Sequence, residues 1–184
     1  MRGGGRVISG RILYRKLLFL LKNLIMPKAT PIPVRPAVKP IAAKVKSAFG
    51  ALPERLKGFG GGLPRAMGVR ITLASKKKIV AELPVKPIVL NRNLRANGGA
   101  LMAYADCVGA AGAIMNLPEG YLTTTLESKT NFFAAGLGPM LNAVSIPLHV
   151  GRTTMVWQTT IRNSGDGSRV AIVTQTQIVI PMRK

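Results

Sequence analysis

The run GGALMAYADCVGAAGAIMN, residues 98–116, constrains the fold more than any other part of the chain. It has no proline and almost no β-branched residue, and the LPEG that follows stops it. This pattern predicts one long helix over 99–116. Most of its side chains are glycine or alanine. Glycine weakens a helix, so its density here implies that another backbone or side chain approaches closely. A sheet wrapped tightly around the helix satisfies that requirement. One carboxylate, Asp106, sits in this apolar run. An uncompensated charge there costs several kcal/mol, so a chain that keeps one usually uses it.

The flanks read as strands. MGVRITLAS and KIVAELPV form two strands around a Ser-Lys-Lys turn, with Lys76–Lys78 at a solvated tip. Four longer β-branched stretches follow the helix: YLTTTLESKTNFF, PMLNAVSIPLHV, TTMVWQTTIRN and RVAIVTQTQIVI. NSGDG, at 163–167, is a hairpin signal. Short connections suggest that these last four strands form an antiparallel meander. The class is α+β, a curled antiparallel sheet around one central helix. Before the strands, IAAKVKSAFGALPERLKGF can form a short helix interrupted by Pro53. GGG at 60–62 reads as a flexible joint, and no Gly-Lys-Ser/Thr ending makes it a phosphate loop.

Charge divides the chain in two. Of 27 Lys and Arg, eleven lie in residues 1–50, which hold no Asp or Glu; residues 51–184 carry the other sixteen and all six acids, a net of +10. The expected division is a basic, proline-containing extension over 1–48 and one folded domain over 49–184. In the extension, residues 11–26 include an apolar run broken by Lys22 and Asn23, too short to span a membrane. It reads as an adventitious extension, an organelle-targeting segment or a membrane-surface helix, and the sequence leaves all three open. Positive charge attracts any polyanion, but aromatic content is 5% and no base-reading motif is present, so specific nucleic-acid binding is not expected. The single cysteine, Cys107, excludes an internal disulfide, and no Cys/His cluster offers a metal site. A reducing, cytoplasmic location is expected, with organelle or peripheral-membrane placement as the alternative.

The stretches NGGALMAYADCVGAAGAIMNLPEG, TTTLESKTNFFAAG, GRTTMVWQTTIRN and RVAIVTQTQIVIP resemble the hotdog-fold acyl-CoA thioesterases, in particular their phenylacetate-pathway-like (PaaI-type) branch. The resemblance spans about residues 65–181. It implies a hotdog fold and a homodimer or homotetramer with active sites between subunits. It also implies hydrolysis of an aryl- or medium-chain acyl-CoA, with coenzyme A part of the substrate and no separate cofactor.

The same resemblance assigns roles. The thioester oxygen would lie against the helix start, at Gly98-Gly99, with the Gly99 N–H as donor. Asp106, two turns beyond Gly99 and on the same side, would activate water or attack the carbonyl. The competing reading is a buried acid paired with a Lys or Arg. Asn91 would orient water or carboxylate. Asn97 stands where many relatives have His, and an amide cannot titrate near neutral pH. Thr125 would reach across the dimer interface toward the carboxylate, with the register among Thr123, Thr124 and Thr125 open. Glu127 and Lys129 would share Thr125's face by strand alternation. Arg152, Arg95 and Lys129 are candidates for the coenzyme A phosphates. Met102, Tyr104, Phe132 and Phe133 could line the acyl pocket, whereas Trp157 reads as core and His149 as a surface residue. A non-catalytic acyl-CoA-binding protein is the rival reading, favoured by Asn97. A hydratase would want a His beside the acid, and His149 lies in the wrong segment.

Overall fold

The computed structural model describes residues 53–59 and 61–182. The extension 1–48, with its candidate surface helix at 11–26, lies outside the described residues, as does most of the expected helix around 42–60. Pro53 precedes a 3-10 turn, Glu54–Leu56, in which Arg55 donates to the Leu117 carbonyl. Gly62 does not continue a loose joint; it opens a short helix, α1 (Gly62–Met67). Gly68 ends α1 in the left-handed region at φ 82°, which a side chain rarely adopts.

β1 (Arg70–Ser75) and β2 (Lys78–Pro84) pair as the first hairpin. Ser75 Oγ accepts from the N–H groups of Lys77 and Lys78 and closes the turn. Then comes α2 (Gly98–Asn116), one residue longer at its start than the sequence pattern suggests. The extra residue follows from Asn97, an N-cap whose Oδ1 accepts from the Gly99 N–H. β3 (Tyr121–Phe132), β4 (Met140–Val150), β5 (Thr154–Asn163) and β6 (Arg169–Pro181) complete the chain.

All pairings are antiparallel, and the sheet order is β1-β2-β4-β5-β6-β3. The expected meander is therefore only half realised. β4, β5 and β6 are neighbours, but β3 leaves its sequence neighbour and pairs with β6 at the far edge. Its connection to β4, residues 133–139, carries no two-residue turn signal. Seven residues reach up to about 23 Å, enough to cross the roughly 14 Å of three strand spacings. The crossing is pinned where Asn163 accepts from Leu137 N and donates to the Ala135 carbonyl. The Ala96 N–H also bonds the Gly136 carbonyl there.

α2 packs against all six strands. It is long and apolar enough to cross a membrane by composition, yet it is the core helix of this sheet. Leu101, Tyr104, Val108 and Ala111 bury against Leu83, Leu141, Ala143 and Trp157 among others. Two glycines allow the closest contacts. A Cβ at Gly112 would stand 2.5 Å from the Trp157 ring, and one at Gly109 2.4 Å from the Gln175 amide carbon.

β3 contains a register shift between Thr125 and Glu127. The extra residue, Leu126, reverses the alternation. Thr123 and Thr125 are half-buried, and so are Ser128 and Thr130, while Glu127 and Lys129 are exposed. The expectation that Glu127 and Lys129 share Thr125's face fails because a bulge adds one residue to a period of two.

Candidate active site

Asp106 is half-buried on the side of α2 that meets β3 and β6. The Thr125 hydroxyl donates to its Oδ1 at 2.8 Å. Gln175 Nε2 lies 3.2 Å from both Oδ1 and the Asp106 carbonyl and donates to them. Thr125 Oγ1 in turn accepts from Gln177 Nε2 at 2.7 Å. Behind Gln177, the Thr123 hydroxyl reaches Gln177 Oε1 at 3.1 Å and the Ile178 carbonyl at 2.8 Å. Among the described residues no donor reaches Oδ2, and no Lys or Arg pairs with Asp106. This carboxylate is held by neutral hydroxyl and amide donors on one oxygen, which leaves the other for a ligand.

Thr125, rather than Thr123 or Thr124, meets the carboxylate. It does so within its own chain, not across a subunit boundary. The reason is the pairing of β3 with β6, which lays β3 along its own helix.

The helix start differs in detail from expectation. The Gly99 N–H is already taken by Asn97 Oδ1. Asn97 thus caps the helix through Oδ1, while its Nδ2 makes no hydrogen bond among the described residues. Gly98 N–H makes no hydrogen bond among the described residues, and the Phe132 ring lies beside it, 3.4 Å from where a Cβ would be. Asn91 shapes the loop that leads to this point. Its Oδ1 accepts from Asn93 N and Arg95 N, and its backbone bonds Arg95, which closes a turn containing Leu94 at φ 55°. Only the Asn91 Nδ2 remains for other work.

The remaining candidates are dispersed. Arg95 is exposed in the loop before α2, and Arg152 is exposed in the turn between β4 and β5. Lys129 is on the outer sheet face. Met102, Phe132 and Phe133 are exposed, but Tyr104 is fully buried on the opposite side of α2, with its hydroxyl on the Leu141 carbonyl. Tyr104 therefore belongs to the core and not to a pocket beside Asp106. Burial pushes the Tyr104 phenol well above its ordinary range. Burial, helped by the Asp106 charge, raises the Cys107 thiol to about 11. Trp157 is core, as its sequence position suggests, and His149 is exposed.

Sequence reasoning gave no role to Gln175 or Gln177. The signal was present in VTQTQIV: period-2 alternation puts both glutamines on the face shared with Val173 and Val179, where all four are buried. Amides at core positions need partners, and their Nε2 groups find them at Thr125 and Asp106, while Gln175 Oε1 has none among the described residues.

A family model of the thioesterase superfamily matches residues 95–170, from the loop before α2 to the start of β6. ComA2 of Bacillus subtilis strain 168, a provisionally named esterase, is 30% identical over 52% of this chain and 76% of its own length. The chain belongs to the thioesterase superfamily. As a thioesterase it is a thioester hydrolase with the hotdog architecture. Another similar protein is the 1,4-dihydroxy-2-naphthoyl-CoA hydrolase of Listeria monocytogenes, 22% identical over 67% of this thioesterase and 98% of that protein. Among solved structures, a hypothetical thioesterase of Streptococcus pneumoniae, crystallised with coenzyme A, superposes with a TM-score of 0.62. It is 27% identical and covers 70% of this chain and 99% of its own.

Proposed function

We propose that the chain hydrolyses an acyl-CoA thioester, giving a carboxylate and the free coenzyme A thiol, with Asp106 activating the attacking water. The observation that carries this reading is the carboxylate itself. Oδ1 is fixed by Thr125 and Gln175, and among the described residues Oδ2 meets no donor and no cation pairs with the carboxylate. Gly98 N–H, at the positive end of α2, would stabilise the charge that develops on the thioester oxygen. It replaces Gly99 in that role, because Asn97 occupies the Gly99 N–H.

Helix rise supports a homodimer. Gly98 and Asp106 are eight residues apart, about 12 Å along the axis. One carbonyl needs its donor and its water each within about 3 Å. Asp106 therefore cannot attack a thioester held at its own helix start, and water alone would bridge the gap only in a stretched line. A second copy, placing its helix start against this Asp106, closes the distance. The free edge of β3, with Tyr121, Leu122 and Leu126 exposed, suits such a pairing. Arg95 and Arg152 are the proposed phosphate contacts. Exposed Met102 and Phe132 near the helix start suit an aryl or medium-chain acyl group.

Asn97 supports a second reading, a hotdog protein that binds acyl-CoA without turnover, since its side chain competes with a substrate oxygen for the Gly99 N–H. Free-thiol release from phenylacetyl- and medium-chain acyl-CoA separates the two. Turnover should fall by about a hundredfold or more in Asp106→Asn. Absence of turnover in the wild type, with coenzyme A esters still raising the melting temperature, would establish the binder instead.

A further inference from the structure

The donors around Asp106 form a chain with a direction. Gln177 Nε2 can only donate, so at 2.7 Å from Thr125 Oγ1 it makes that hydroxyl an acceptor. Thr125 has one proton, and the remaining contact is Asp106 Oδ1 at 2.8 Å, so the proton points there. Reversing the Gln177 amide would set its oxygen and the Asp106 carboxylate on either side of a single Thr125 proton. One of those two contacts would then bring acceptor against acceptor. An ionised Asp106 therefore selects the observed orientation, because a charge-assisted hydrogen bond is the more costly one to lose.

Among the described residues no cation compensates the Asp106 charge. Asp106's helix neighbour Cys107 stays protonated, with its thiol raised to about 11. The residues facing α2 from β3 are Thr123, Thr125, Ser128 and Thr130, and from β6 Val173, Gln175, Gln177 and Val179. The buried residues of β2, β4 and β5 are likewise unionisable, the part-buried Glu82 of β2 pairs with Arg70 of β1, and on α2 itself Tyr104 looks the other way, toward Leu141. Glu127, Lys129 and His149 are exposed. Gln177 is 0% exposed, which excludes solvent as a competitor for its amide.

We propose that Gln177 is a positioning residue that aims the Thr125 hydroxyl at Asp106 Oδ1 and so keeps Oδ2 free and correctly placed for the attacking water. At the far end of the Gln177 amide, Oε1 lies 3.1 Å from the Thr123 hydroxyl, which shares its one proton with the Ile178 carbonyl at 2.8 Å. This inference rests on Asp106 as the water-activating group. It adds a residue that touches neither substrate nor water, on a strand whose glutamines would otherwise pass as buried structure.

A carboxyl in place of the amide reads the direction. Ionised, it cannot donate and would capture the Thr125 proton, turning that hydroxyl away from Asp106. Protonated, it can donate to Thr125 and restore the chain. The test measures kcat and KM for thiol release between pH 5 and 9, on full-length wild type, Gln177→Glu, Gln177→Leu, Thr125→Ala and Asp106→Asn. Gln177→Leu should lose roughly tenfold to a hundredfold in kcat with little change in KM. Combined with Thr125→Ala it should add little, because both break one chain. The Gln177→Glu rate, as a fraction of wild type, should climb as pH falls, whereas the Gln177→Leu fraction should stay level. Flat fractions for both variants, with equal losses of melting temperature, would overturn the inference and make Gln177 structural. Wild-type rates in both, while Asp106→Asn is dead, would overturn it and leave the reaction standing. No turnover in any protein, wild type included, would remove both.

Discussion

One face of helix α2 is approached closely at two neighbouring glycines, and the two contacts serve different ends. At Gly112 the helix admits the Trp157 ring, and at Gly109 it admits the Gln175 amide. The first contact is apolar: Trp157 is fully buried and its Nε1 has no partner in the described residues. The second is polar and directional, because the amide passing Gly109 ends on Asp106. Both glycines answer the same steric need. What differs is the side chain that arrives, so the Trp157 contact carries stability and the Gln175 contact carries the placement of a charge.

Adding one methyl group at each glycine is the strongest way to break this comparison. Gly112→Ala forces its Cβ into a rigid indole, and overpacking of about 3 kcal/mol outweighs a helix-propensity gain of about 1. A denaturant titration should show a net loss near 2 kcal/mol, with the specific activity of the folded fraction retained. Gly109→Ala meets the far end of a glutamine, which can swing more easily than an indole. Its stability loss should be the smaller of the two, about 1 kcal/mol, but displacing Gln175 from Asp106 should cost most of the thiol-release activity. Equal activity in the two variants would erase the distinction between the two contacts.

Smaller changes sharpen it. Trp157→Phe removes an unpartnered buried N–H along with some ring volume, two effects of opposite sign. The expected net change is within about 1.5 kcal/mol, well below that of a Trp157→Ala cavity. On the polar side, Cys107 reports the local field. With its thiol raised to about 11, alkylation by iodoacetamide should be very slow at pH 7 and speed up as pH rises toward that value. Asp106→Asn removes only the lesser cause of the shift, so it should hasten alkylation modestly. A large acceleration would mean that the carboxylate charge, not burial, dominates the thiol's surroundings.

Local signals account for much of the architecture. The small-residue run ended by LPEG marked α2 within one residue of its start, because capping and proline act over a few residues. The alternation of β-branched residues marked all six strands for the same reason. Sheet order was not legible. A seven-residue connection permits either a hairpin or a crossing, and the choice depends on which strands can cover α2 together. The bulge at Leu126 was equally hidden: one inserted residue changes the face of Glu127 and Lys129 without altering composition. Tyr104 and Met102, two residues apart on one helix, looked interchangeable as pocket lining until the sheet covered one and left the other exposed.

The site divides in the same way. That Asp106 is unusual follows from the sequence alone, since a lone acid in an apolar helix must be compensated wherever the helix ends up. What compensates it was decided by tertiary structure. Thr125 and Gln175, 19 and 69 residues away in the chain, meet Asp106, and Gln177 meets Thr125, because the fold lays β3 and β6 side by side along α2. The direction of their hydrogen bonds depends on angstrom-scale placement of neutral groups, which composition and periodicity do not encode. A sequence fixes which groups are available to a charge through local chemistry, and the fold selects which of them it touches through long-range packing.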